Sequence, residues 1–87
     1  MIIFKSFAVG ITMYKKVKTY LKSKSRSEVK QIVQHPDLTE IEKWLIYYTY
    51  GEDRMVINTC YKLGLSEAQY FNTQKLALTK LYYILGL

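Results

Sequence analysis

The 87-residue chain predicts a small all-α domain of four to five helices, and three observations lead there. Apolar residues recur at three- and four-residue intervals through most of the chain. No strand-type alternation persists beyond the first ten residues. Ser, Thr or Asp followed three places later by Glu or Gln recurs where helices should begin. With 49% hydrophobic and 23% charged residues, the composition suits one globular domain with a modest core.

The chain opens on Met1-Ile2-Ile3-Phe4-Lys5-Ser6-Phe7-Ala8-Val9-Gly10-Ile11, apolar but interrupted by Lys5 and ended by Lys15 and Lys16 too soon to span a bilayer. Residues 1–12 are therefore set apart as an apolar N-terminal segment, and residues 13–87 are expected to form a single helical domain. Three readings of that segment stay open: a core strand or helix extension, a truncated anchor, and residues upstream of a native start at Met13. Ile11, Tyr14, Val17 and Leu21 share one side of a helix from about 11 to 23 whose other side is lysine. Ser25 with Glu28 opens a short helix to about Gln34, and His35-Pro36 breaks it. Asp37 with Glu40, or Thr39 with Glu42, caps the next helix, which carries Leu38, Ile41, Trp44, Leu45 and Tyr48 before Gly51 stops it. Asp53 is expected to cap a helix through Leu63, and the last helix runs from Ser66 to about Leu85.

Between those last two helices lies the most specific spacing in the chain. Gly64 stands where a helix must stop in a left-handed conformation that costs glycine little. Ser66 and Gln69 form a capping box, and Tyr70, Ala77, Leu78 and Leu81 give the following helix a buried stripe, with Cys60 small enough for a close helix crossing. The pattern, at about 53–85, reads as a helix-turn-helix.

Leu38-Thr39-Glu40-Ile41-Glu42-Lys43, then Leu63-Gly64-Leu65-Ser66 and Ala77-Leu78-Thr79-Lys80-Leu81, resembles the region-4 helix-turn-helix of sigma factors. Closer still is the resemblance to the ArpU and RinA type of phage and prophage transcriptional regulators. In that family a serine cap, two aromatic residues in the fourth and fifth places after it, and Ala-Leu seven places further recur; here these are Ser66, Tyr70-Phe71 and Ala77-Leu78. The resemblance covers roughly residues 38 to 85. It implies a sequence-specific DNA-binding regulator of phage or mobile-element genes, with a C-terminal sigma region-4-like helix-turn-helix and a site of action beside RNA polymerase. Members of the family are longer and carry several basic residues on the recognition helix, whereas this helix offers Glu67, Gln69, Asn72, Lys75 and Lys80.

Carried over position by position, the motif presents Glu67, Ala68, Gln69, Phe71, Asn72 and Lys75 to the major groove of double-stranded DNA. Gln69 and Asn72 have the amide geometry that pairs with adenine, Ala68 suits a thymine methyl, and Lys75 reaches phosphate or guanine. Phosphate attraction should come from elsewhere. Residues 1–30 carry eight basic groups against Glu28, a balance of +7, while residues 31–87 carry five basic against six acidic, −1. Lys15, Lys16, Lys18, Lys22 and Lys24, with Ser66, are the expected backbone contacts. A lysine run is as often a solvated face.

The rival expectation is a protein-interaction module. Nine tyrosines are too many for so small a core, so some should meet a partner such as RNA polymerase. Tyr82, Tyr83, Leu85 and Leu87 make a candidate homodimer surface. Catalysis finds little support: His35 beside a proline, Cys60 at a packing position and no glycine-rich phosphate loop assemble no acid, base and nucleophile. No cofactor and no membrane partner are expected. The single cysteine excludes an intramolecular disulfide and points to a cytoplasmic setting.

Overall fold

A computed structural model describes the backbone from Ile2 and the side chains from Thr12 to Leu87. Among the described residues the regular structure is entirely helical: α1 (Ile2–Lys22), α2 (Arg26–Ile32), α3 (Glu40–Ile46), a π-helical turn (Tyr47–Gly51), α4 (Val56–Leu63) and α5 (Glu67–Ile84). The all-α class and its five helices follow the sequence. Helix α5 is the hub, packed against α1, α3 and α4, while α2 lies on the π-helical turn.

The core draws on every helix: Val17 and Leu21 from α1, Val29 from α2, Leu45 and Ile46 from α3, Cys60 from α4, and Tyr70, Ala77, Leu78 and Leu81 from α5. All four residues of the α5 stripe are buried, and each such leucine contributes about 1.5–3 kcal/mol by leaving water. Their spacing of seven, one and three places puts them on one side of the helix, while Ala68, Asn72 and Lys75 on the other side are exposed.

Three capping boxes set the helix starts. The Ser25 hydroxyl accepts the Glu28 N–H and the Glu28 carboxylate accepts the Ser25 N–H. Thr39 and Glu42, rather than Asp37 and Glu40, do the same for α3. Ser66 and Gln69 complete the set on α5.

Several boundaries and faces depart from expectation. Helix α1 begins at Ile2 rather than near residue 11; an apolar run broken only by Lys5 and Ser6 marks no single face, so periodicity gives no signal there, and one interior glycine costs a helix only about 1 kcal/mol. The expected apolar role of Ile11 lies outside the described side chains. On α3 the buried residues are Glu42, Leu45 and Ile46, while Ile41 and Trp44 are 45% and 44% exposed. The helix is turned so that the Glu42 carboxylate meets the Lys80 ammonium of α5 at 2.8 Å, and Leu38 fills the core from outside the helix. Asp53 does not cap α4. Met55 holds the N-cap position and makes no side-chain cap bond, while Asp53 takes a left-handed conformation at φ 54°, three residues ahead of the first helical turn. Capping requires the residue immediately before that turn.

Candidate nucleic-acid interface

At the joint between α4 and α5 the local chemistry can be followed atom by atom. Gly64 ends α4 at φ 70° and ψ 35°, and its N–H returns to the Cys60 carbonyl, as does that of Leu65 at 2.9 Å. Only glycine adopts this geometry freely. Beneath the turn the buried Cys60 thiol points to the Ser66 carbonyl at 3.9 Å. Burial, and secondarily the Glu67 carboxylate, push that thiol above its ordinary range.

From this joint α5 extends with Ala68, Gln69, Phe71, Asn72 and Lys75 exposed. Ala68, Asn72 and Lys75 lie opposite the buried stripe. Phe71 sits at the edge, 45% exposed, with its ring edge-on to Tyr70 at 5.1 Å. The Gln69 side-chain oxygen accepts the Ser66 N–H at 2.9 Å, so only its NH2 remains to donate outward, and pairing both edges of adenine would break the cap. The Ser66 hydroxyl accepts from Gln69 and keeps its own proton for a phosphate. Lys80, by contrast, is committed to Glu42. Burial raises the Glu42 carboxyl, but the bonds from Lys80 and Thr39 outweigh it and hold the group below its ordinary range.

The expected phosphate contacts divide. Lys15, Lys18 and Lys22 form one stripe with Tyr14 and Thr19, and none has a carboxylate within 4.0 Å among the described residues. Lys18 and Lys22 also line a cleft with Tyr70 and Gln74 of α5, which joins the basic helix to the recognition candidate. Lys16 shares a different groove with Tyr20 and Leu87, and the Lys24 ammonium sits 4.8 Å over the Tyr20 ring.

Other side chains gather where spacing gave no signal. Thr49 and Tyr50, on the π-helical turn, reach α5: Thr49 and Tyr70 hydroxyls lie 2.9 Å apart, and Gln74 donates to the Tyr50 hydroxyl at 3.1 Å. Burial pushes the Tyr50 phenol up to about 12. On another surface Trp44 stacks on Tyr48 at 5.4 Å, with Arg54 and Lys62 over the same Tyr48 ring. At the C-terminus Tyr82, Leu85 and Leu87 pack against the chain's own core, which leaves Tyr83, 73% exposed, as the accessible member of the expected dimer surface.

No protein-family model, curated protein or solved structure matches this chain. Among the described residues no helix is long and apolar enough to cross a membrane, and no group of three His, Cys, Asp or Glu side chains could hold a metal ion.

Proposed function

We propose that this protein is a sequence-specific DNA-binding transcriptional regulator of phage or mobile-element genes. In this reading α4 and α5 form a helix-turn-helix, α5 enters the major groove of double-stranded DNA, and the α1 lysines hold backbone phosphates. One observation carries it: behind a left-handed glycine turn, α5 buries Tyr70, Ala77, Leu78 and Leu81 and holds Ala68, Asn72 and Lys75 outward, while α1 carries a lysine stripe that has no acidic partner among the described residues. Such a helix has its polar contacts unspent, as base readout requires. The resemblance to ArpU and RinA type regulators supports the same reading and adds RNA polymerase as a neighbour in the cytoplasm.

Binding titrations against DNA from upstream of the neighbouring genes and against random duplex, each at two salt concentrations, test it. A preference for the upstream DNA that persists at the higher salt is expected. Asn72→Ala should lose about 1–3 kcal/mol on the preferred site and little on random duplex; equal loss on both would remove the base-reading role.

Leu76 and Tyr83, 61% and 73% exposed on α5, favour a second reading, in which α5 docks on RNA polymerase or another regulator. Under that reading Leu76→Ser with Tyr83→Ser abolishes capture of purified polymerase while DNA affinity is unchanged.

A further inference from the structure

A cleft of about 630 Å³ opens between the C-terminal half of α1, the π-helical turn and the first half of α5. Its lining is rich in hydrogen-bond donors and poor in acceptors. Lys18 and Lys22, one helical turn apart, bring two ammonium groups without ion-pair partners among the described residues. Arg54 also lines it, but the guanidinium is held by Glu52 at 2.6 Å. Asp53 contributes the one carboxylate of the lining, from an exposed position.

The hydroxyls can be followed one by one. Thr49 and Tyr70 share a single bond, so one of their two protons is left over. Tyr50 accepts from Gln74, so its own proton is also unspent, and its raised titration keeps that proton in place at neutral pH. Two cations and two O–H donors converge where a metal ion would be repelled and an apolar group would strand the donors. The matching ligand is an anion with several acceptor oxygens. Thr49 and Tyr50 both lie on the π-helical turn and both bond to α5, and such turns often sit at functional sites.

We propose that this cleft binds a phosphate group, with Lys18 and Lys22 supplying charge and Thr49, Tyr50 and Tyr70 supplying directed donors. The phosphate belongs either to the DNA backbone beside α5, in which case the site rests on the regulator reading, or to a free phosphorylated small molecule, in which case it stands without that reading.

The test is an NMR titration of the full chain, followed at the Thr49 amide and the Gln74 side-chain amide. One arm uses inorganic phosphate against chloride at equal ionic strength, and the other a short DNA duplex. Saturable shifts at both positions with at least one probe are expected, weakened about tenfold in Lys18→Gln/Lys22→Gln, reduced in Thr49→Val, and retained in Lys30→Gln/Lys62→Gln, exposed lysines outside the cleft. Shifts with neither probe overturn the site, as does equal weakening by the two lysine pairs. Duplex binding that leaves the cleft unshifted, with no shift from inorganic phosphate either, removes the site and preserves the regulator reading. Phosphate binding without duplex binding does the reverse.

Discussion

The two connections on either side of α4 are built by opposite means. From Leu63 to Ser66 every group is satisfied locally: a left-handed glycine closes α4, and a serine–glutamine box opens α5. From Tyr47 to Met55 local backbone bonds are joined by side-chain ties to distant helices. The chain widens into a π-helical turn, bends through a left-handed aspartate and starts α4 without a side-chain cap. Its ties from afar are Thr49 to Tyr70, Tyr50 to Gln74 and the Arg26 guanidinium on Glu52, to which the neighbouring Arg54 adds a local pair. The first joint is therefore a property of its own few residues, and the second a property of the assembled domain. A joint of the second kind loosens first when tertiary contacts weaken.

Removing the Lys80 ammonium should separate the two most sharply. Lys80→Met leaves the Glu42 carboxylate, 3% exposed, without its cation, at a cost of about 2–3 kcal/mol once the half-exposure of Lys80 is discounted. Urea denaturation measures the loss, and hydrogen exchange should quicken over residues 47–55 while the turn at 63–66 keeps its protection. The same carboxylate sets an acid limit. Its folded value is depressed, so its contribution is complete above the unfolded value of about 4.3 and is lost as pH falls through the folded one. In Lys80→Met only the Thr39 bonds are left to oppose burial, and the acid limb of the stability profile should move to higher pH.

Gly64→Ala is next in size. Nothing lies within 4 Å of the added carbon, so the cost is conformational alone, about 1–2 kcal/mol, read as a fall in Tm with the core contacts unchanged. Tyr70→Phe should cost about 1 kcal/mol, and its exchange signature should fall on the π-helical turn through Thr49. Asp53→Gly is the smallest: relief of the left-handed strain offset by glycine's entropy leaves a change of about 0.5 kcal/mol or less. A large loss there would mean that the aspartate side chain itself holds the second joint.

Legibility in the sequence follows the same division. Gly64, Ser66, Gln69 and the Tyr70, Ala77, Leu78, Leu81 stripe could be placed from spacing, because caps and helical faces are short-range consequences of residue type. The boxes at Ser25 and Thr39 belong with them. The face of α3 could not, since an apolar count prefers Ile41 and Trp44 where the fold buries Glu42 against a lysine 38 positions away. The π-helical turn was equally silent: its residues Tyr47, Tyr48, Thr49 and Tyr50 suit an ordinary helix, and the wider geometry coincides with contacts that only α5 provides. Of the candidate site, the outward residues of α5 were legible and the cleft at Lys18 and Lys22 was not, because its hydroxyls Thr49 and Tyr50 are brought there by that turn. Gly51 carried a trace of it. A side chain there would come within 3.0 Å of the Tyr47 ring, but glycine in sequence signals a stop as readily as a close approach.

The lone thiol under the turn gives the molecule a built-in stopwatch. Cys60 is 7% exposed beneath the Ser66 carbonyl, so an alkylating reagent reaches it only in the moments when α4 lifts from α5. The rate of that single modification, measured without any introduced label, counts how often the joint parts, and a ligand that clasps both helices would slow it.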